Sequence, residues 1–148
     1  MQISTKGRYG LRAIVDLAMH NVEGPLALRV IAERQGISES YLEQVFTSLR
    51  KAGLVRASRG AQGGYELGRP ATEITAGDIL RALEGPITPV SCLETEVGSK
   101  HCEREKSCST RWFWIEMKNQ IDRFLDTFTL QDLVDRAHTG EHNPMYYI

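Results

Sequence analysis

The 148-residue sequence predicts a mainly α fold with one small β-hairpin. Three observations lead to this prediction. Apolar residues recur at helical spacing over most of the chain, a glycine-rich stretch near residue 60 separates two short strand-like runs, and a long helical pattern follows residue 110. This order of elements is typical of a winged helix-turn-helix followed by a long dimerisation helix.

The first predicted helix spans residues 6–20 and can be capped by Ser4 or Thr5. Its apolar stripe is formed by Tyr9, Leu11, Ile14, Leu17 and Ala18. Three cations lie near its start, at Lys6, Arg8 and Arg12. Backbone amides and positive side chains at a helix start can both meet phosphate, although a solvated basic turn has the same pattern.

Two further helices, residues 28–35 and 38–51, form the predicted helix-turn-helix. Gly36 can adopt the left-handed conformation between them, Ser38 can cap the second helix, and Gly53 can end it. The apolar side chains Leu42, Val45 and Leu49 share one face of the second helix. The polar residues Ser38, Glu39, Ser40, Glu43 and Gln44 then point away from the core. An ordinary helical hairpin with a solvated face is the alternative interpretation.

A β-hairpin is predicted directly after this pair of helices. Residues 54–58 and 65–67 form its strands, and residues 59–64 form a loop that contains three glycines. Arg59, at the edge of the loop, is placed to enter a DNA minor groove. Helix, helix-turn-helix and hairpin together predict a winged helix.

Charge is distributed unevenly along the chain. Residues 1–60 carry nine Lys or Arg and five Asp or Glu, whereas residues 61–148 carry nine and fourteen. A basic N-terminal part and an acidic remainder suit a DNA-reading module joined to a segment of another function. The sequence has no membrane-spanning run, signal peptide, nucleotide loop or paired acid and base, so we expect a cytoplasmic protein that is not an enzyme.

Another helix, residues 75–84, is predicted from a capping box between Thr75 and Asp78. The loop-like stretch that follows contains all three cysteines, Cys92, Cys102 and Cys108. In a reducing compartment, three cysteines indicate metal ligation or redox chemistry rather than a disulfide framework.

The last long helix is predicted to begin at Thr110, with Thr129 and Asp132 capping a short helix after it. Its heptad-like apolar seam consists of Trp114, Met117, Ile121, Phe124 and Phe128. So much aromatic surface favours a second copy of the chain as partner, with packing on its own winged helix as the alternative. The predicted organisation is 1–84 for DNA binding, 85–109 for the cysteine loop, 110–138 for dimerisation and 139–148 for a flexible tail.

Four segments resemble the Rrf2 family of bacterial transcription regulators: ISTKGRYGLRA (3–13), SYLEQVFTSLRKAGLV (40–55), RGAQGGYELG (59–68) and ITAGDILRALEG (74–85). The resemblance implies a homodimer that binds a pseudo-palindromic operator in double-stranded DNA. It also implies base reading by the second helix of the helix-turn-helix and entry of Arg59 into the minor groove. The implied reading residues are Ser38, Ser40, Tyr41, Glu43 and Gln44.

The three cysteines are similar to those of family members that hold an iron–sulfur cluster and control cluster biogenesis. The resemblance implies ligation by Cys92, Cys102 and Cys108, with [2Fe–2S] favoured over [4Fe–4S]. Nine residues separate the first two cysteines, more than in those members, and Arg111 stands where they place a histidine ligand. The fourth ligand stays open; His101 is the candidate by proximity, and glutamates of the loop are others.

A second group within the family provides the alternative function. The segments EGPITPV (84–90) and MYYI (145–148) resemble cluster-free repressors of cysteine metabolism. Those members imply control by thiol oxidation or by a complex with cysteine synthase. In the second case the C-terminal tail, ending in Ile148, is the implied contact with the enzyme.

Overall fold

The computed structural model describes residues 1–94 and 102–140. Its helices and strands confirm the predicted fold class, mainly α with a two-stranded antiparallel sheet. The elements are α1 (Thr5–His20), α2 (Leu28–Gln35), α3 (Glu39–Lys51), β1 (Val55–Ser58), β2 (Gly64–Leu67), α4 (Ala76–Glu84), α5 (Arg111–Thr127) and α6 (Leu130–Gly140). Short 3₁₀ turns lie at Asn21–Glu23, Ala71–Glu73 and Ser91–Leu93.

The helix ends follow from local sequence signals. Gly36 adopts a left-handed φ of 64° between α2 and α3, and the Ser38 side chain accepts a hydrogen bond from the Tyr41 amide at 3.2 Å. After α3, Gly53 has a φ of 76°, and the Leu54 amide donates back to the Leu49 carbonyl at 3.0 Å. These contacts confirm the predicted turn of the helix-turn-helix and the predicted end of its second helix.

The β-hairpin is anchored to the segment that precedes α2. Its strands pair from Val55 opposite Leu67 to Ser58 opposite Gly64. Leu26 forms a bridge to Tyr65, with N–O distances of 2.7 and 2.8 Å in the two directions. A Cβ at Gly64 would lie 2.2 Å from the Leu26 carbonyl oxygen, so glycine is required for this close approach. The bridge fixes the hairpin relative to the helix-turn-helix.

The hydrophobic core is formed around α1, which packs against α2, α3, α4 and α6. Gly10 allows a close approach between helices, since a Cβ there would lie 2.3 Å from Leu83 Cδ1 on α4. The largest fully buried side chains include Phe46, Ile14, Leu17, Ile31, Leu42, Leu49, Leu54, Ile74, Ile79 and Leu130. The apolar face predicted for α3 therefore lies in the core.

The start of α4 is joined to the turn between α5 and α6 by backbone hydrogen bonds. The Ala76 amide donates to the Phe128 carbonyl at 2.8 Å, and the Leu130 amide donates to the Ile74 carbonyl at 2.7 Å. Both predicted capping pairs, Thr75 with Asp78 and Thr129 with Asp132, are present. From this junction α6 returns to pack on α1.

Charged side chains join α4 and α5. The Arg81 guanidinium donates to Asp126 at 2.8 Å and to Asp122 at 3.2 Å, and Lys118 donates to Asp122 at 2.6 Å. The two carboxylates raise the pKa of Arg81. For Asp122, burial raises the pKa, but the hydrogen bonds and charges of Lys118 and Arg81 outweigh burial, so its pKa lies below the ordinary value. Gly77 leaves room for this ion-pair network.

Helix α5 keeps much of its apolar surface uncovered. No residue of Arg111–Thr127, all of which the structure describes, is buried. Trp112 is 70% exposed and Phe124 64% exposed, and Phe113, Ile115 and Met117 are exposed too. The predicted seam is thus divided, because Trp114, Ile121 and Phe128 are half-buried within the chain. Among the described residues, no helix has the length and apolar character needed to cross a membrane.

Candidate nucleic-acid interface and cysteine segment

Helix α3 presents a polar face to solvent on the side opposite the core. Ser40, Glu43 and Gln44 are exposed, whereas Leu42 and Val45 are fully buried. The apolar residues thus fix the rotation of the helix about its axis, and this rotation directs the three polar side chains outward. Their donors and acceptors are of the kinds that read base edges in a major groove.

Two other predicted reading residues have structural contacts of their own. As the N-cap of α3, the Ser38 hydroxyl oxygen accepts a hydrogen bond from the Tyr41 amide. The hydroxyl proton remains available for a hydrogen bond to another group. The Tyr41 ring is half-buried and meets Tyr9 of α1 edge to face, with centroids 6.1 Å apart. Ser38 and Tyr41 therefore support α3 as well as bordering its exposed face.

The hairpin loop carries Arg59 at its exposed edge. Gly60 has a φ of 106°, which allows the sharp turn that follows Arg59. On the strands behind it, Arg56 pairs with Glu66 at 2.9 Å across the register. Arg59 is thus placed at the projecting end of a hairpin whose base is held by the Leu26 bridge.

The N-terminus of α1, for which the sequence left phosphate contact and a solvated basic turn open, contacts a carboxylate of α4. Glu84 Oε1 accepts hydrogen bonds from the backbone amides of Ser4 and Gly7, each at 3.0 Å, and from the Ser4 hydroxyl. Arg12 donates to the side chain and the backbone carbonyl of Gln35, the latter at 2.7 Å. A carboxylate of the chain itself thus occupies two of the amides that were candidates for phosphate contact.

A buried carboxylate joins α1 to α2. Asp16 is only 3% exposed; it accepts hydrogen bonds from Arg34, with a shortest distance of 2.5 Å, and from Gln35 at 2.8 Å. Burial raises the pKa of Asp16, but the hydrogen bonds and the positive charge of Arg34 outweigh it, and the net pKa is below its ordinary value. This ion pair holds the first helix of the helix-turn-helix against α1.

The three cysteines are free thiols and are all half-buried. Cys92 lies in the Ser91–Leu93 turn, and Cys108 precedes α5 with its sulfur 3.5 Å from Thr110 Oγ1. Hydrogen bonds from the Thr110 hydroxyl and from the backbone amides of Thr110 and Arg111 lower the pKa of Cys108.

The described residues do not form a complete metal site. Within residues 1–94 and 102–140, no three His, Cys, Asp or Glu side chains are close enough together to hold a metal ion. His101 lies outside those ranges, as does the tail segment from residue 141 to Ile148. Arg111, at the position where a histidine ligand was considered, is paired with Glu105 at 3.1 Å.

Comparison with known proteins decides the family. Residues 3–136 match the Rrf2 family model, described as an iron-dependent transcriptional regulator. The chain belongs to the Rrf2 family. The protein is therefore a DNA-binding transcription regulator of this family, and the expectation of a non-enzymatic protein is confirmed.

The Rrf2 relatives include two kinds of regulator. The chain is 46% identical to the HTH-type transcriptional regulator CymR of Bacillus subtilis (strain 168), over 100% of both chains. It is 42% identical to IscR of Serratia proteamaculans (strain 568), over 91% of this chain and 80% of the relative. The solved structure of T. potens IscR has 44% identity and a TM-score of 0.75, and covers 99% of this chain and 97% of that chain.

Several site contacts had no signal in the sequence pattern. The Leu26 bridge, the Glu84 contacts and the Asp16 ion pair each join residues that are distant along the chain. The ALEG segment marks Glu84 as part of the family resemblance, but its spacing does not indicate a contact with Ser4. These contacts determine how α1, α3 and the hairpin are oriented around the exposed polar face.

Proposed function

We propose that this Rrf2 regulator is a homodimer that reads a pseudo-palindromic operator through α3 and the hairpin. The observation that carries the proposal is the exposed polar face of α3, held by a buried apolar face, beside a hairpin that projects Arg59. In a dimer, two such helices would enter major grooves separated by one helical turn of DNA.

Each side chain has a distinct role in this proposal. Glu43 accepts a hydrogen bond from cytosine N4, and Gln44 pairs with adenine in the major groove. Ser40 and the Ser38 hydroxyl proton contact bases or phosphates at the start of α3, and Tyr41 borders them. Arg59 enters the minor groove, where a narrow groove attracts an arginine by its negative potential.

Operator binding by two variants tests these roles. A duplex selected from a randomised library by the wild-type protein serves as the probe. Arg59→Ala should weaken binding about tenfold and reduce the salt slope by about one. Glu43→Ala should relax base preference at one position with a smaller loss of affinity. Arg69→Ala, an exposed arginine at the base of the hairpin, is the matched control. Unchanged binding by both test variants would show that another surface reads the DNA.

We further propose that the cysteine segment is the regulatory input and that it holds an iron–sulfur cluster. Three free thiols suit this cofactor chemically, because iron–sulfur clusters are bound mainly by cysteine thiolates. A fourth donor would have to be added to them, and His101, Glu94 and Glu103 are the candidates. When bound, such a cluster would supply a one-electron redox centre that oxidants can remove.

The positions of the cysteines give the chain a way to respond. Cys92 follows α4 by a short connection, and Cys108 lies directly before α5. Ligation by both would hold the segment between the DNA-reading unit and the dimerisation helix in one arrangement. Release would free that connection and change how the two recognition helices are presented.

Anaerobic reconstitution with iron and sulfide tests the cofactor. The wild-type protein should become brown, with visible absorption and a measurable iron and sulfide content, and Cys92→Ala should abolish both. Ser91→Ala, the exposed neighbour in the same turn, should keep the colour. His101→Ala tests the fourth ligand in the same assay. A colourless wild-type protein would exclude the cluster.

A cluster-free regulator of cysteine metabolism is the second candidate. It is favoured by the match to CymR over the whole length of both chains and by the pairing of Arg111 with Glu105. In this case thiol oxidation or a complex with cysteine synthase controls DNA binding. Calorimetry with cysteine synthase should show binding that is lost when Ile148 is deleted. Equal heats for both proteins would exclude recruitment by the tail.

A further inference from the structure

A single carboxylate from α4 organises the N-terminus of α1. Glu84 Oε1 receives the amides of Ser4 and Gly7 and the Ser4 hydroxyl, so one oxygen serves three donors. A Cβ at Gly7 would lie 2.3 Å from that oxygen, and glycine thus makes room for the carboxylate. Negative charge at a helix N-terminus is favourable because of the exposed amides and the helix dipole.

The same turn of α1 contacts the DNA-reading helix. Lys6, next to Gly7, donates a hydrogen bond to the Ser48 hydroxyl at 2.8 Å, and both side chains are half-buried. Ser48 lies one turn after Gln44 on α3, so it shares the side of the helix that Gln44 occupies. The contacts therefore run from Glu84 through the first turn of α1 to α3.

We infer that Glu84 is a positioning residue for DNA reading, which sets the place of Lys6 and, through Ser48, of the exposed face of α3. The inference rests on the proposed role of α3 in base recognition. Glu84 acts indirectly in this inference, because its Oε1 is occupied by the N-terminus of α1. We expect its effect on DNA binding to pass through Lys6.

The direction of the change in operator affinity distinguishes this inference from a simple effect of charge. Removal of a carboxylate from a DNA-binding surface should, by charge alone, strengthen DNA binding, since the phosphates are negative. A loss of positioning should weaken binding to the selected operator instead. The two explanations therefore predict opposite changes for the same substitution.

A double-mutant cycle on the full-length protein tests the inference. The probe is the library-selected operator duplex, and the variants are Glu84→Gln, Lys6→Met and their combination. Glu84→Gln should weaken operator binding at least threefold in the wild-type background and by much less in the Lys6→Met background. Glu73→Gln, an exposed carboxylate before α4, is the charge control and should leave binding unchanged or slightly stronger.

Each other outcome contradicts the inference. Stronger binding by Glu84→Gln would assign its effect to charge, and equal losses in both backgrounds would exclude a route through Lys6. Circular dichroism of each variant checks that it is folded. If Glu84→Gln is not, Ser4→Ala removes one donor to Glu84, together with the hydroxyl that caps α1 at Gly7, and should weaken binding with the same dependence on Lys6. If the wild-type protein selects no duplex at all, the DNA-reading proposal fails before the cycle begins.

Discussion

Gly10 shows how the absence of one side chain permits a helix contact. A Cβ at this position would lie 2.3 Å from Leu83 Cδ1 and 3.1 Å from Val45 Cγ1. Gly10→Ala should therefore lower the free energy of unfolding by about 1–2 kcal/mol, since overpacking outweighs the gain in helix propensity. Urea denaturation measures the difference.

Gly140→Ala provides the matched control for this substitution. Within the part of the chain that the structure describes, no heavy atom lies within 4 Å of a Cβ at Gly140, so we expect a change near zero. Equal effects at both positions would show that helix propensity, rather than the contact with α4, determines the result.

At the residue scale, sequence predicts contacts whose partners lie close along the chain. The Gly36 turn, the Ser38 cap and the Thr75 capping box were all predicted, because each involves backbone groups a few residues away. The Glu84 contacts were not, since Ser4 is separated from Glu84 by 80 positions and only the folded chain brings them together.

At the scale of elements, the ion pair of Asp16 couples α1 to α2. Its folded-state pKa is lowered, so its contribution to stability is complete above the unfolded-state pKa of about 4 and is lost as the pH falls through the lower folded-state value. Asp16→Asn should lower the free energy of unfolding near pH 7 by about 3 kcal/mol, because Arg34 loses its partner.

The pH dependence separates this ion pair from simple packing. The difference in stability between wild type and Asp16→Asn should shrink below about pH 4. At such pH the wild-type carboxyl takes up a proton on unfolding, and this uptake lowers the stability of the wild-type protein. Thermal denaturation between pH 3 and pH 7 measures it. A difference that stays constant over this range would assign the effect to hydrogen-bond geometry instead of charge.

The ends of the helices and strands were predicted to within about one residue, because the apolar spacing and the capping residues indicate the same boundaries. For example, α3 was expected at 38–51 and spans Glu39–Lys51. The Leu26 bridge to the hairpin had no local pattern and was not foreseen. At the candidate site, the exposure of Ser40, Glu43 and Gln44 followed from helical periodicity. A fourth ligand for the proposed cluster has no such signal, because ligands to one metal centre need not be regularly spaced along the chain.

At the scale of the molecule, the uncovered face of α5 predicts a dimer. Phe113, Met117 and Phe124 share one side of the helix and remain exposed within the chain. Phe124→Glu should therefore shift the protein from dimer to monomer in sedimentation velocity, since a charge would be buried in the interface. Operator affinity should fall with it.

Asn119→Glu adds the same charge elsewhere on α5 and should leave the dimer intact. Asn119 is exposed and lies on a different side of the helix from Phe113, Met117 and Phe124, one heptad after Trp112. A dimer that survives Phe124→Glu would show that the subunits meet through another surface. Its survival would also remove the reason for treating α5 as the dimerisation helix.

The contact between Glu84 and the start of α1 also determines when α1 can be completed during protein synthesis. Ser4 and Gly7 leave the ribosome long before the residue that completes their hydrogen bonds, which follows 80 and 77 positions later. Until then, the Ser4 amide must be satisfied by water, and the Gly7 amide has only the hydroxyl of the capping Ser4, at 3.3 Å, as a side-chain partner. Helix α1 therefore reaches its final form only after α4 has been synthesised. A nascent chain that stops before residue 84 lacks this stabilisation.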